Sequence, residues 1–272
     1  MYQPILIDEA ITPKHYADLE DDELLVTSIF GTIQGEGPYA GERAMFLRLS
    51  GCQYGGKGVN GPGCKFCDTD FRFKHGQVYT ISYLIEKIEE NHPGHMAGSK
   101  MRLLVITGGE PTLQDNLLEF VCQVEHRLPD VKMQIESNGL RHLPLPDFVY
   151  LVVSPKVPER PNTIMARYAA ISKGVLERAD CLKILVSADE KSPYHYLPSY
   201  LDYFQTEGPL RPIYLSPINV YRERPMASCA SIWDSRVIDQ AASARNHAFA
   251  AELCIKYGYC LSVQQHLFAA VP

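Results

Sequence analysis

No apolar run in the chain approaches the roughly 18 residues needed to cross a bilayer. The amino-terminal stretch shows no charged-then-apolar pattern of the signal-peptide type. Basic residues are not in excess, since 26 Lys and Arg against 32 Asp and Glu give a formal net charge of −6. This balance argues against nucleic acid as the main partner, because phosphate binding favours a basic face. We therefore expect a soluble, cytoplasmic protein that acts on a small molecule and has neither a membrane nor a nucleic acid as partner.

The order of apolar segments indicates the fold class. The 272 residues suit one large α/β domain. From residue 44 onward, strand-like and helical segments alternate, which predicts a mostly parallel sheet. About six core strands are too few for a closed eight-stranded barrel, so we predict an open, partial (β/α) barrel. Residues 1–23 are predicted to be an amino-terminal extension and residues 24–272 a single domain.

Three of the eight cysteines, Cys52, Cys64 and Cys67, lie in one glycine-rich loop at 52–70. In a reducing compartment such thiols indicate metal binding or burial rather than disulfides. Three thiols without an obvious fourth ligand are compatible with two kinds of metal site. One is a zinc site whose fourth ligand lies elsewhere in the chain, for instance His75, and the other is an iron-sulfur cluster with one free iron. Three unrelated buried thiols are a further alternative. We expect the other cysteines to be ordinary packed side chains: Cys122, Cys181, Cys229, Cys254 and Cys260.

Two segments before this loop carry polar side chains in unusual settings. Gln34 and Glu36 lie two apart in a glycine-rich loop, where they would point the same way if the loop is extended. Arg48 is embedded in the apolar strand-like segment 44–50. Because an unpaired buried charge is costly, Arg48 requires an anion, which could be a ligand or the partner in a structural salt bridge.

Polar residues also follow successive predicted strands. They form the segments 108–111 (Gly-Gly-Glu-Pro), 136–139 (Glu-Ser-Asn-Gly), 154–156 (Ser-Pro-Lys) and 216–217 (Ser-Pro). In parallel α/β folds ligands bind at the carboxyl ends of the strands. The pattern therefore predicts a ligand-binding rim next to the cysteine loop.

Together these motifs resemble the radical S-adenosylmethionine (SAM) enzymes, in which three cysteines hold a [4Fe-4S] cluster and SAM binds the fourth iron. An aromatic residue before the last cysteine, here Phe66, is typical of them. Within this superfamily the chain is similar to the 7-carboxy-7-deazaguanine synthases. That similarity rests on residues 33–37 (Ile-Gln-Gly-Glu-Gly), 46–52 (Phe-Leu-Arg-Leu-Ser-Gly-Cys), 64–69 (Cys-Lys-Phe-Cys-Asp-Thr), 108–111 and 264–266 (Gln-Gln-His).

The resemblance implies a role for individual residues. The cluster ligands would be Cys52, Cys64 and Cys67, and Thr69 would bind Mg²⁺. SAM would be bound by Phe66, Gly108, Gly109, Glu110, Ser137, Ser154 and Lys156. The substrate would be bound by Gln34, Glu36, Arg48, His266 and Pro272. No catalytic residue is assigned beyond these ligands.

The resemblance also implies a reaction. An external donor of the flavodoxin or ferredoxin type would reduce the cluster, and SAM cleavage would give a radical that removes a hydrogen from C6 of 6-carboxy-5,6,7,8-tetrahydropterin. Ring contraction and loss of ammonia would give 7-carboxy-7-deazaguanine, a carbon–nitrogen lyase reaction of queuosine or other 7-deazapurine biosynthesis. The family suggests a homodimer. The alternatives are a radical SAM enzyme of another reaction, such as a glycyl-radical activase, and a zinc-stabilised binding module without catalysis.

Overall fold

Strands and helices alternate along the part of the chain that the computed structural model describes, namely residues 15–55, 64, 67, 76–91, 103–157, 168–222 and 231–271. The strands are β1 Glu23–Ile33, β2 Arg43–Leu49, β3 Gln77–Thr80, β4 Leu103–Gly108, β5 Lys132–Ser137, β6 Val149–Val153, β7 Cys181–Val186, β8 Ile213–Pro217 and β9 Cys260–Leu261. The helices are α1 Ile81–Glu90, α2 Leu117–Arg127, α3 Lys173–Arg178, α4 Tyr200–Thr206, α5 Gln240–Tyr257 and α6 Gln265–Ala269.

All of these strands belong to one sheet, in the order β3-β1-β2-β4-β5-β6-β7-β8-β9. Every neighbouring pair from β2 to β9 is parallel, whereas β1 is antiparallel to both β2 and β3. Within the described residues the outer strands β3 and β9 are not paired with each other, so the sheet stays open. The predicted open, partial barrel of parallel strands is confirmed.

The two faces of the sheet have different partners. In β5, Met133 and Ile135 belong to the main apolar core that also contains the buried faces of the helices. Because side chains alternate along a strand, Gln134 and Glu136 point to the opposite side, and Lys183 of β7 does the same. We call this side the inner face. Part of it is covered by a smaller apolar cluster of Phe30, Ala44, Phe46, Leu103 and Val105.

Helix boundaries follow local chemistry. Thr80 caps α1, since its side chain accepts a hydrogen bond from the Tyr83 amide, as threonine often does at the start of a helix. Asp239 caps α5 in the same way, and that helix ends at Gly258, whose φ of 72° is a left-handed conformation that glycine adopts without strain. Among the described helices none is long and apolar enough to cross a membrane.

The sequence predicts a first strand at 24–30 followed by a glycine-rich loop at 31–38, and a last strand at 260–264. In the structure residues 31–33 still belong to β1, because they pair with the first residues of β2. The last strand is only Cys260–Leu261, and the short helix α6, which was not expected, follows it. Cys122 and Cys260 are exposed rather than packed, whereas Cys181 and Cys254 are buried as expected. Cys229 lies outside the described residues, and the domain boundary after residue 23 stays a prediction.

The buried side-chain amide of Gln114 joins β1 to the segment that leads from β2 into the cysteine loop. The Gln114 Oε1 accepts from the Leu25 amide at 2.8 Å, and its Nε2 donates to the Leu25 carbonyl at 2.9 Å and to the Ser50 carbonyl at 3.2 Å. Gln114 is 1 % exposed. A single side chain thus satisfies backbone groups of β1 and of the segment immediately before Cys52.

We predict that Gln114→Leu lowers the free energy of unfolding by at least about 2 kcal/mol, because it removes three hydrogen bonds to buried backbone groups, of which the Leu25 carbonyl keeps a second bond from the Ser50 amide. Urea denaturation would measure the change. Gln123→Leu is the matched control, since Gln123 donates to Glu119 on the solvent side of α2, and we expect its effect to stay within about 0.5 kcal/mol. Equal effects of the two substitutions would contradict the prediction.

Candidate active site

A buried ion-pair network occupies the inner face near the carboxyl ends of the strands. The Lys183 Nζ lies 2.6 Å from Glu36 Oε2 and 2.9 Å from Glu136 Oε2. The other oxygen of Glu136, Oε1, accepts from Gln34 Nε2 at 3.1 Å and from Gln134 Nε2 at 3.0 Å. The side chains of Lys183 and Glu36 are only 7 % and 14 % exposed. One cation therefore holds two carboxylates from distant parts of the chain.

The loop after β1 brings Gln34 and Glu36 into this network. As predicted, both side chains reach the same group of residues, although they do so through different partners. The loop is fixed from the carboxyl-terminal side, where the Gln265 amide donates to the Gly35 carbonyl at 3.0 Å. A Cβ on Gly35 would lie 2.1 Å from His266 Nδ1. Glycine at this position thus allows the His266 ring to close against the loop.

Opposite charges decide the ionisation of Glu36. Burial acts to raise the pKa of this carboxyl, but the Lys183 ammonium, the nearby His266 and a hydrogen bond from Gln264 outweigh burial and lower the pKa to about 2. For Lys183, burial is likewise outweighed by Glu136 and Glu36, which raise its pKa. Glu36 and Lys183 both stay charged at neutral pH.

Arg48 lies on the same inner face as this network. Its guanidinium carbon lies 5.3 Å from the Phe30 ring centroid and 5.9 Å from that of Phe46. Arg48 is half-buried and pairs in register with Thr107 of β4. The two aromatic rings orient the planar guanidinium at the edge of the inner face.

The Gly108–Gly109 pair packs directly against the strand end that carries Cys52. Gly108 has a φ of +130°, and a Cβ there would lie 2.0 Å from the Leu49 carbonyl oxygen. A Cβ on Gly109 would lie 2.0 Å from the Gly51 carbonyl oxygen. Only glycine permits this approach, so the motif joins the end of β4 to the start of the cysteine loop.

The three cysteines of the loop are of intermediate exposure. Burial raises the pKa of Cys52 to about 12, and the charges of Glu110, Cys64 and Cys67 add to the effect, so these groups lie near one another. The Cys67 amide donates to the Cys64 carbonyl at 2.9 Å. Within the described ranges no group of three His, Cys, Asp or Glu side chains has the geometry of a metal site.

The buried Glu110 carboxylate accepts hydrogen bonds from neighbouring residues of the protein itself. Its Oε1 accepts from the Thr112 amide and hydroxyl and from the Ser137 hydroxyl, and its Oε2 accepts from the Asn138 amide at 2.6 Å. Burial raises the pKa of Glu110, which these hydrogen bonds oppose. The side chains of Glu110 and Ser137 therefore connect the ends of β4 and β5, and the backbone of Gly108 and Gly109 lies beside Cys52.

Lys156 and Ser154 contact each other at the end of β6. The Lys156 Nζ donates to the Ser154 carbonyl at 2.7 Å and to the Ser154 hydroxyl at 2.6 Å. Burial lowers the pKa of Lys156, while the nearby Cys64 opposes that shift. The Tyr54 hydroxyl donates to the Lys156 carbonyl at 3.2 Å. Both predicted residues thus lie near the cysteine loop, as the predicted rim requires.

The segment after residue 230 seats the carboxyl-terminal helix. The Ile232 amide donates to the Leu267 carbonyl at 3.1 Å, and Trp233 Nε1 donates to the Phe268 carbonyl at 3.2 Å. The rings of Trp233 and Phe268 meet edge to face, with centroids 5.8 Å apart. These contacts hold α6 at the position from which His266 faces Gly35.

Sequence reasoning missed Lys183 and Gln134. It placed Glu136 in the predicted rim and Gln264 in the carboxyl-terminal motif, but it assigned neither a role. Lys183 interrupts an apolar strand in the way that Arg48 does, and this was the available signal. Gln134 is fully buried, and its Oε1 has no hydrogen-bond partner among the residues that the structure describes. That atom is an acceptor left for a ligand or a water. Three predicted site residues, Phe66, Thr69 and Pro272, lie outside the described residues, as does His75.

Comparisons with known proteins agree with this geometry. No family model matches the chain. The chain is 34 % identical over 170 residues to the 7-carboxy-7-deazaguanine synthase of Buchnera aphidicola subsp. Schizaphis graminum. The aligned region covers 57 % of this chain and 73 % of that protein. The chain belongs to the 7-carboxy-7-deazaguanine synthase family.

Two further relatives of the 7-carboxy-7-deazaguanine synthase family support this. The synthase of Rickettsia prowazekii is 35 % identical over 166 residues, 61 % of this chain and 62 % of that protein, so the match spans less than two thirds of its length. The crystal structure of QueE from Escherichia coli superposes with a TM-score of 0.61 at 25 % identity and covers 90 % of this chain and 95 % of that one. The radical SAM type of fold predicted from the motifs is confirmed.

We predict that Lys183→Met lowers the free energy of unfolding at pH 7 by about 3 to 5 kcal/mol, because it leaves two buried carboxylates without a cation. In the wild type the lowered Glu36 pKa contributes stability above pH 4.5 that is lost as the pH falls towards 2. Without Lys183 the strongest cause that lowers the Glu36 pKa is gone, so the difference in stability between the two proteins should shrink as the pH falls from 4.5 towards 2. Denaturation across pH 2 to 7 would measure this.

Lys173→Met is the control for this substitution. Lys173 lies in an exposed pair with Glu177 at 3.5 Å, and its side chain is 73 % exposed. We expect little change at any pH. A Lys183→Met protein that stays as stable as the control at pH 7 would contradict the prediction.

Proposed function

We propose that this protein converts 6-carboxy-5,6,7,8-tetrahydropterin into 7-carboxy-7-deazaguanine with loss of ammonia, as a SAM- and Mg²⁺-dependent carbon–nitrogen lyase of queuosine or other 7-deazapurine biosynthesis. The observation that carries the proposal is the network of Glu36, Lys183 and Glu136 on the inner face, with Arg48 on the same face and the three thiols near the strand ends. Membership in the synthase family supports it.

The inner face suits the two ends of such a substrate. A pterin has a guanidine-like edge rich in N–H donors, and the acceptors near it would be Glu36, Glu136 and the unpartnered Gln134 Oε1. Gln34 is fixed by Glu136 and shapes the same edge. The substrate carboxylate would be bound by the guanidinium of Arg48, which favours planar carboxylates.

The donor set fits an iron-sulfur cluster. Cys52, Cys64 and Cys67 are partly exposed, and Cys64 and Cys67 lie close enough to Cys52 to affect its ionisation. Three thiolates leave one iron for SAM. When bound, the cluster and SAM would supply the radical that removes the C6 hydrogen of the substrate.

SAM would lie between the cysteine loop and the strand ends. The backbone of Gly108 and Gly109 would bind its amino group, and Ser154 and Lys156 would bind its carboxylate and ribose. The close packing of the two glycines beside Cys52 and the contact of Lys156 with Ser154 support this. Glu110 and Ser137 would also line the SAM site, and the hydrogen bond between them gives this part of the site its shape. Phe66 would pack beside SAM.

The chain itself would position the substrate and exclude water. His266 and helix α6 close one side of the inner face against the loop at Gly35. Pro272 would follow directly and complete that wall. Thr69 would supply a hydroxyl oxygen to Mg²⁺, a hard cation that takes oxygen ligands.

The proposal also includes an electron donor, an oligomeric state and a cellular location. The electron donor would be a flavodoxin or ferredoxin, and the assembly a homodimer in the cytoplasm. Neither a nucleic acid nor a membrane is needed by the reaction.

The test is anaerobic reconstitution with iron and sulfide, followed by incubation with reductant, SAM, Mg²⁺ and 6-carboxytetrahydropterin. We expect 7-carboxy-7-deazaguanine by mass spectrometry with SAM at substoichiometric level. A brown protein that cleaves SAM but leaves the pterin unchanged would support another radical SAM reaction, such as that of a glycyl-radical activase. A colourless protein that binds only zinc would overturn the synthase activity and any other radical SAM reaction, and would support a binding module without catalysis.

We predict that Glu136→Gln lowers kcat/KM for the pterin roughly 10- to 100-fold, mainly through KM, because it removes a charge that Lys183 and the substrate edge share. The KM for SAM should stay unchanged. Steady-state kinetics would measure both constants, with Glu252→Gln on the exposed side of α5 as the matched control. Equal changes in the two KM values would show that Glu136 serves the fold rather than the substrate.

A further inference from the structure

The two residues after Cys52, Gln53 and Tyr54, reach from the cysteine loop to the ends of two strands. The Tyr54 hydroxyl donates to the Lys156 carbonyl at 3.2 Å, just beyond the end of β6. The Gln53 side-chain amide pairs with that of Asn138, just beyond the end of β5, at 3.2 and 3.5 Å. Neither Gln53 nor Tyr54 belongs to the cluster ligands or to the residues proposed to bind SAM.

The Tyr54 contact completes the hydrogen bonding of one peptide group beside the proposed SAM site. The Lys156 carbonyl accepts from the Tyr54 hydroxyl and, at 3.0 Å, from the Ala169 amide. The N–H of the same peptide group belongs to Val157 and donates to the Tyr194 hydroxyl at 3.0 Å. Both lone pairs of the carbonyl and the N–H are therefore used, which fixes the orientation of the peptide plane. The cysteine loop supplies one of these three bonds.

The pair of Gln53 with Asn138 also has one orientation. The Leu140 amide can only donate, and it lies 3.0 Å from Asn138 Oδ1, so the oxygen of the Asn138 side chain is on that side. Its nitrogen then faces Gln53 Oε1. The backbone amide of Asn138 donates to the Glu110 carboxylate at 2.6 Å. Asn138 is only 6 % exposed whereas Gln53 is exposed, so a surface residue of the loop supplies the partner of a buried amide.

We propose that Tyr54 and Gln53 are positioning residues that hold Cys52 in place against the SAM-binding ends of the strands. The inference rests on the proposed function, since it assumes that Cys52 ligates the cluster and that SAM binds at these strand ends. Consecutive Cα atoms are about 3.8 Å apart, so contacts one and two residues after Cys52 leave it little freedom. On its other side, the Gly51 carbonyl accepts from the Glu110 amide at 2.7 Å. The first cluster ligand is thus fixed from both directions.

A loop fixed in this way lowers the cost of binding SAM. In the proposed site SAM contacts the cluster and the strand ends together, so both must be correctly placed at once. A loop that moved independently of the strands would have to be ordered when SAM binds, and such ordering reduces affinity. The pterin-binding side chains are held by a separate network around Lys183. Loss of the Tyr54 or Gln53 contact should therefore weaken the binding of SAM and not that of the pterin.

Tyr54→Phe tests the proposal, because it removes only the hydroxyl and leaves the Lys156 carbonyl bonded to the Ala169 amide. We expect the KM for SAM to rise about fivefold, the equivalent of one neutral hydrogen bond, while kcat and the KM for the pterin stay near the wild-type values. Gln53→Leu, at an exposed position, is the second variant and should raise the KM for SAM in the same direction.

Amide hydrogen exchange of the full-length protein before reconstitution tests the two contacts without cluster, SAM or pterin. In both variants the peptides that contain residues 50–55 should exchange roughly threefold faster, while the peptides of α2 keep the wild-type rate. Tyr203→Phe is the matched control, since the Tyr203 hydroxyl donates to Glu177 at 3.4 Å on the protein surface. We expect this control to match the wild type in exchange and in both KM values.

Faster exchange at residues 50–55 together with a rise confined to the KM for SAM would support the proposal. Unchanged exchange in both variants would overturn it, and so would faster exchange with equal changes in the two KM values, which would show that the contacts serve only the fold. A reconstituted wild-type protein that binds no SAM would overturn the proposed function and the role in SAM binding together. The exchange measurement would then still show whether Gln53 and Tyr54 hold the loop against the strands.

Discussion

The buried contact of Lys183 with Glu36 and Glu136 is the interaction on which the arrangement of the inner face depends. Burying one ammonium and two carboxylates costs solvation free energy, and only close opposite charges and additional hydrogen bonds repay it. Gln34 and Gln134 supply such bonds to Glu136. The network fixes a loop against two strands before any ligand binds, and it leaves an excess of acceptor oxygens facing the site.

A second constraint joins this network to the cysteine loop. Gly108 and Gly109 approach the backbone of Leu49 and Gly51 so closely that no side chain fits. The Glu110 carboxylate then accepts hydrogen bonds from Ser137 at the end of β5 and from the amide of Asn138, the next residue. The strand that carries Glu136 and the loop that carries Cys52 are therefore joined through the segment 108–110. A small displacement at either glycine would move both the thiols and the polar floor of the site.

The fold was largely predictable because its strands are long, apolar and followed by distinct polar motifs. The cysteine loop and the Gly-Gly-Glu-Pro segment were placed correctly at strand ends. The role of Lys183 could not be predicted in the same way, since its partner Glu36 is 147 residues away in the chain. A lysine in an apolar strand signals a buried partner but does not identify it. Helix α6 was missed because five residues carry too little periodicity, and its position depends on tertiary contacts with Ile232 and Trp233.

The contact between Trp233 and Phe268 has an optical consequence. Trp233 is the only tryptophan of the chain, so the intrinsic emission of the protein comes from an indole that hydrogen-bonds the backbone of α6. The side chains of Trp233 and Phe268 are exposed to solvent, whereas His266 on the same helix packs against Gly35. The fluorescence of this one residue therefore reports, without any added label, whether the carboxyl-terminal wall of the site is seated or has moved away.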